Sequence, residues 1–406
     1  MAGTSGMQLL HPPPPSNNVV RVRMVDTTSV MKLHAEAFLK PVMPGHEIMS
    51  VIDLAFLIEN PRLGKKAMFD LGTRKDYWNS PPWTIKRIEA AIPGVRVDKD
   101  VTEILQEKGM DLGEINDIIW SHSHWDHTGS PYLFPPSTNL CYGKGTGPFP
   151  GYPQNPDSAL NAADFENRKC IEVDYEMQIG PFPAHDFYGD GSLYLLDTPG
   201  HWPGHMCALA RTTPDTFLFL GGDICHFAGD FRPSEDIPFP DIVPEGAFGK
   251  LEDAHIRKRK YPMPCPCSFF SDHHPQHHGQ ESASADPKTT PFYKLSTHHH
   301  SSYKDPSLAT VTTHKMQKYF DSDPNVLVCL AHDTILLDHL PTLNDHPDQD
   351  LNEWKQRGMK EKCHWGWLKE LPRYDKDGNV VGNGMRDSPI VEGLWKDGKR
   401  VSSLRA

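Results

Sequence analysis

Four side chains that can hold a metal ion, His122, His124, Asp126 and His127, fall within six positions directly after a short apolar run, Ile115 to Trp120. The run reads as a strand. An extended segment beyond it sends alternate residues to one side, so His122 and His124 can share an ion. The chain then turns, and Asp126 and His127 can face a neighbouring ion. Imidazole and carboxylate without thiolate suit divalent zinc, manganese, iron or cobalt. A polar surface turn can also be rich in His and Asp, so the motif needs partners elsewhere in the chain.

Three later segments supply them. Asp197-Thr198-Pro199-Gly200-His201 follows an apolar stretch from Ser192 and sets His201 in a tight Pro-Gly turn. Leu220-Gly221-Gly222-Asp223 follows another from Thr216, where glycines permit close backbone approach and a carboxylate can bridge two ions. Leu330-Ala331-His332-Asp333 ends a third, from Asn325. Singly, a histidine after a strand is usually packed or exposed. Ligands gathered at several strand ends build a rigid site.

The rest of the pattern agrees with a layered protein. Alternating or apolar runs at VVRVRMVD from Val19, MSVIDLAFLIE and AMFDLG read as strands. Helical periods span Pro82 to Ala91, Val101 to Lys108 (stopped by Gly109) and Leu308 to Phe320. Strands, then helices, then strands again imply an α/β fold with mixed sheets rather than a βαβ repeat. Residues 1–18, with Pro12 to Pro15, read as a disordered Pro-rich tail, 19–339 as the main domain, and 340–406 as a C-terminal extension. Burial of Trp354, Trp365, Trp367 and Trp395 should pack that extension on the domain. An insertion at about 261–302 is rich in Pro, Ser and His. Its clusters His273-His274, His277-His278 and His298 to His300 read as an exposed loop with adventitious metal affinity, placed to overhang the site.

Charge and cysteine usage exclude several classes. A net charge of -12, with one short basic run at Arg257 to Lys260, disfavours nucleic acid as a partner. No apolar run reaches membrane-spanning length, and no secretory leader is visible, which points to the cytoplasm. The eight scattered cysteines read as reduced thiols, Cys265-Pro-Cys267 included.

The HxHxDH cluster, the TPGH turn, the GGD segment and the late histidine resemble the metallo-β-lactamase superfamily. The run DTPGHWPGH, Asp197 to His205, is similar to its lactonase branch, which includes N-acyl-homoserine lactonases. The resemblance covers roughly Val19 to Asp333. It implies an αββα sandwich with the active site on one edge of the paired sheets. It also implies that His122, His124 and His201 bind one metal and Asp126, His127 and His332 a second, with Asp223 bridging. Asp70, in Phe69-Asp70-Leu71-Gly72, would orient a ligand histidine, and His205 would support the site from outside the ligand set. The lactonases carry a tyrosine three residues after the bridging aspartate. Here His226 stands in that place, a group able to polarise a carbonyl or donate a proton.

The long N-terminal segment, the insertion and the Trp-bearing C-terminus resemble fungal members of the superfamily. Some of these are γ-lactamases that detoxify benzoxazolinone-type compounds, and others are lactonases. The implied reaction opens a cyclic amide or ester of a small molecule by attack of a hydroxide bridging two divalent ions, zinc being the first expectation. Asp126 would carry the proton to the leaving group. An N-acyl-homoserine lactonase and a glyoxalase II-like thioesterase are the enzyme alternatives. A metal-sequestering protein is the non-enzyme one, and it leaves the ordered strand-end ligands unexplained. Oligomeric state is not legible in the sequence.

Overall fold

The computed structural model describes residues 11–146, 150–248, 261–262, 264–276, 286–375, 377–382 and 391–405. Two large sheets form its centre. The first has nine strands, with Arg21–His34, Ile48–Asn60, Lys65–Phe69, Asp117–Ile119 and Asn139–Tyr142 side by side in that order. The second has six, running Val326–Cys329, Thr216–Leu220, Met206–Thr213, Leu193–Asp197, Phe182–Asp186 and Met177–Ile179.

Strand alternation explains the layering. In Ile48–Asn60 the side chains of Leu54, Phe56 and Ile58 pack with Leu195, Ala208, Leu218 and Leu220 of the second sheet. Ala55 and Leu57, one position out of phase, pack instead with Val101, Ile104 and Leu105 of the helix Val101–Glu107. On the far side, Leu209 and Phe219 of the second sheet share a cluster with Ala309 and Met316 of the helix Pro306–Met316. Helix, sheet, sheet, helix is therefore the stacking order, the αββα sandwich that the metallo-β-lactamase resemblance implies.

Local chemistry places the helices. Pro82 opens Pro82–Ala91 and Pro306 opens Pro306–Met316, where a missing N–H costs nothing. Glu103 reaches back to accept from Asp100 N at 2.8 Å, and Asp305 Oδ1 accepts from Leu308 N at 2.9 Å. The expected helix at Leu308 to Phe320 is an α-helix to Met316 followed by a π-turn over Gln317–Asp321. Among the described residues no helix is long and apolar enough to cross a membrane.

Two expectations need correction. Residues 1–10 of the expected disordered tail lie outside the described residues, but 11–18 run along the protein: Gly180 N donates to His11 O, Arg211 to Pro14 O, and Ser16 Oγ to Asp190 O. The insertion is not a wholly exposed loop either. Its apolar letters, Cys265, Phe270, Phe292, Tyr293 and Leu295, are buried in the core, and Lys294–Leu295 pairs with Leu39–Lys40. His274 is buried and bonds Thr290 O at 3.0 Å. His299 and His300 are exposed, whereas His277, His278 and Arg257 to Lys260 lie outside the described residues. Trp354, Trp365 and Trp367 are buried, and Gly393–Lys396 joins the first sheet, parallel to Gly94–Val97.

Candidate metal centre

The chemistry-bearing residues all stand just beyond strand C-termini. Lys65–Phe69 runs parallel to Asp117–Ile119, so Asp70 and the segment His122 to His127 emerge at one edge. Thr216–Leu220 runs parallel to Val326–Cys329, which brings Asp223 and His332 to a common edge of the second sheet. Ser121 joins the two rims, because its carbonyl accepts from Met206 N at 2.8 Å. Glycine is required at 222: φ is +49°, and a Cβ there would stand 2.8 Å from Ser121 Cβ and 3.1 Å from His205 Nε2.

Asp223 is the centre of the constellation. Its Oδ1 lies 3.1 Å from His127 Nε2 and 3.0 Å from His332 Nε2. Its Oδ2 lies 3.3 Å from His201 Nε2, 3.0 Å from His226 Nε2 and 3.7 Å from His122 Nε2. His201 Nε2 is 3.1 Å from His122 Nε2 and 3.0 Å from His124 Nδ1. Asp126 Oδ2 is 3.9 Å from His332 Nε2. Two groups therefore share Asp223 as their neighbour: His122, His124 and His201 on one side, Asp126, His127 and His332 on the other, the ligand atoms of each within 4.8 Å. The residues singled out in the sequence are thus brought together, His226 and Asp70 included.

A second layer aims these rings. Asp70 Oδ2 accepts from His127 Nδ1 at 2.8 Å and from Ser121 Oγ at 2.7 Å, and Oδ1 accepts from Ser121 N at 2.6 Å. Ser121 Oγ has given its proton to Asp70, so it accepts from His122 Nδ1 at 3.0 Å. His332 Nδ1 donates to Ile52 O at 2.8 Å. In each case Nδ1 is occupied behind and Nε2 is presented to the cavity, as ligand imidazoles require. His205 is different: Nδ1 faces Thr198 O at 2.9 Å and Nε2 accepts from Asp223 N at 3.1 Å, so both nitrogens serve the scaffold.

The electrostatics ask for a cation. Burial lowers the pKa of His122 and His201, and takes His124 down to about 3. Burial acts on His127 and His332 in the same sense, but Asp223, with Asp70 or Asp53, outweighs it and raises both well above the usual histidine range. Asp223 is held well below the carboxylate range, because His127, His332 and His226 outweigh its burial. Burial pushes Asp126 up to about 6, and it lowers His226, which is neutral. His127 Nε2 and Asp223 Oδ1, buried and 3.1 Å apart, make no well-aligned hydrogen bond. Imidazole nitrogens meeting one another at 3.0–3.1 Å cannot all be satisfied by protons. The donor set fits two divalent cations, with neutral nitrogen and carboxylate oxygen throughout.

The centre opens on one side. His124, Trp125, Asp126 and Trp202 are half-buried, while His122, His127, His201, Asp223, His226 and His332 are buried. Trp202 packs on His124 with centroids 4.4 Å apart and donates to Ser123 Oγ at 3.0 Å. Two participants escaped the sequence reading. Asp53, whose Oδ1 is 3.3 Å from His332 Nδ1, had a signal: a lone acid inside the apolar run MSVIDLAFLIE. Tyr303, whose hydroxyl is 3.0 Å from His226 Nδ1, had none.

No family model matches the chain. Whole-length relatives do. A gamma-lactamase of Fusarium pseudograminearum, FDB1, is 36% identical over 393 residues, 94% of this chain and 88% of the relative. The metallo-hydrolase mfmC of Annulohypoxylon moriforme is 35% identical over 87% of each chain. The gamma-lactamase MBL2 of Gibberella moniliformis is 42% identical over 236 residues, 56% of this chain and 94% of that one. A solved structure of a quorum-quenching N-acyl homoserine lactone hydrolase aligns over 81% of this chain and 99% of its own, with TM-score 0.48 and 15% identity.

Proposed function

The chain belongs to the γ-lactamase and metallo-hydrolase branch of the metallo-β-lactamase superfamily, and from that premise we propose that this metal-dependent hydrolase opens a γ-lactam of benzoxazolinone type. The observation that carries the reading is 36% identity to a gamma-lactamase across nearly the whole of both chains. A flat bicyclic substrate also suits the open side, where Trp202 packs on the half-buried His124.

His122, His124 and His201 would hold one ion and Asp126, His127 and His332 the other, with Asp223 between them. Zinc is the proposed metal, and manganese, iron and cobalt suit the same donors. When bound, two such ions supply Lewis acidity toward a carbonyl and a water that is nucleophilic at neutral pH.

The chain's own residues do the rest. The buried wall of His201, His226 and His332 orients the ring from inside and leaves approach to the half-buried His124 and Asp126. Phe38, 4.4 Å from His226 ring to ring, and Tyr303 close the back of the cavity against water. Asp126, half-buried at the open side, is placed to carry a proton to a leaving nitrogen. His226 presents Nε2 to the cavity, where it can meet the reacting carbonyl oxygen. The eight cysteines, all free, support placement in a reducing cytosol.

Ring-opening rates decide the substrate. Protein loaded with zinc, and separately with manganese, should open the lactam faster than a lactone of matched ring size. Preference for the lactone would move the chain to lactonase chemistry. Failure on both rings with either metal would remove the proposed substrate class.

A further inference from the structure

The oxygens of Asp223 and the ring nitrogens of His226 and His332 form a third cluster, within 4.8 Å of one another, which invites reading His226 as a further metal ligand. The bonding behind the ring argues otherwise. His226 and Tyr303 are both buried, and the Tyr303 hydroxyl lies 3.0 Å from His226 Nδ1. A phenol buried here needs an acceptor for its proton. His226 Nδ1 is the partner it meets. With the phenol proton directed at Nδ1, the ring's own proton sits on Nε2.

The neighbouring rings are built in the opposite sense. His127 Nδ1 faces the Asp70 carboxylate and His332 Nδ1 faces the Ile52 carbonyl, groups that only accept. To hold a metal, those rings would keep the proton on Nδ1 and turn a lone pair to the cavity. His226 turns an N–H to it, resting on Asp223 Oδ2 at 3.0 Å in the substrate-free chain. Packing holds the ring in that plane, with Phe38 at 4.4 Å on one side and Tyr303 edge-on at 5.3 Å.

We propose that Tyr303 is a positioning residue whose hydroxyl fixes the Nε2–H tautomer of His226, making His226 a neutral hydrogen-bond donor to the substrate's carbonyl oxygen and not a metal ligand. This rests on the hydrolase reading above and adds to it the group that meets the developing negative charge. A single such donor is worth on the order of 100-fold in kcat.

The test uses the zinc-loaded full chain and the variants Tyr303→Phe, His226→Gln, His226→Leu and His332→Gln. Chelator competition should leave zinc affinity within about threefold of the parent for the Tyr303 and His226 variants, and weaken it at least about tenfold for His332→Gln. Nitrogen-15 spectra of the imidazoles should show an Nε2–H pattern that vanishes in His226→Gln and shifts in Tyr303→Phe. Turnover by Tyr303→Phe should fall about 10- to 100-fold in kcat with KM nearly unchanged. His226→Gln, whose amide still donates, should keep more activity than His226→Leu. A loss of zinc affinity in His226→Gln matching that of His332→Gln would make His226 a ligand and overturn the proposal. So would an Nδ1–H pattern in the parent. If the parent opens no cyclic amide or ester, the reading of function falls, while the spectra and affinities still decide the tautomer.

Discussion

Replacing Asp70 by Asn separates the charge of this carboxylate from its shape. Asp70 has φ +58°, a left-handed conformation that Asn also tolerates. Alanine would instead add backbone strain of about 1–2 kcal/mol. The Asn oxygen can keep the bond from Ser121 N, but its amide N–H groups then face Ser121 Oγ and His127 Nδ1. In the variant a neutral His127 must accept at Nδ1 and carry its proton on Nε2, the atom 3.1 Å from Asp223 Oδ1. A ring protonated there cannot ligate. Restoring the ligating tautomer sets two N–H groups against each other in a buried place and forfeits a bond to a charged acceptor, about 1.5–3 kcal/mol. At about 1.4 kcal/mol per decade this is roughly 10- to 100-fold in affinity for the ion on the His127 side, the range expected for such supporting groups. Zinc titrated against a chromophoric chelator, parent beside variant, reads it directly. Heat unfolding of the metal-free proteins controls for general damage. An Asp70→Asn protein that binds both ions as tightly as the parent would refute the reasoning.

Other consequences follow from the same geometry. His127 and His332, raised well above the usual range because their carboxylates outweigh burial, stay protonated in the metal-free chain at neutral pH. Metal binding must displace those protons, so affinity falls as pH falls and about two protons leave per chain; calorimetry in buffers of differing ionisation heat counts them, and none released would contradict the assignment. Gly222→Ala should cost the paired-ion load, since its Cβ meets Ser121 at 2.8 Å on a left-handed backbone; metal analysis finding two ions per chain would show that the rims can part. Arg232 and Asp321 form a buried pair at 2.6 Å, so Arg232→Met should lower unfolding stability in urea by about 3–5 kcal/mol, with Asp321→Leu added to it restoring most of the loss. Asp321 is held well below its usual range, Arg232 outweighing burial, so this contribution is present above the unfolded-state pKa and fades as pH falls through the folded one.

Much of this was written plainly in the sequence. The apolar run from Thr216 and the Gly221-Gly222-Asp223 turn after it report one strand end, since burial on both faces leaves a continuous apolar signal. Pro82 and the capping Glu103 mark helix starts by local chemistry alone. The insertion was illegible for the opposite reason. Phe292, Tyr293 and Leu295 are isolated apolar letters among polar ones, and their burial is decided by the distant segment at Leu39–Lys40. Tyr303 likewise acquires its meaning from a contact 77 residues away. The sequence pattern names groups that share a strand end; it is silent on which loop is folded over them.

The parallel pairing that carries Asp223 and His332 has a consequence in time. Phe217 pairs with Val326 and Leu220 with Cys329, across more than a hundred residues of intervening chain. Such distant registers form late, after the loop between them has been gathered. A nascent chain that has released His122 and His124 owns only a two-nitrogen foothold for metal. The opposite half waits until synthesis has passed His332 and the second sheet has closed. Only the group that includes His332 must wait for this pairing; His122, His124, His201 and Asp223 are all synthesised before it.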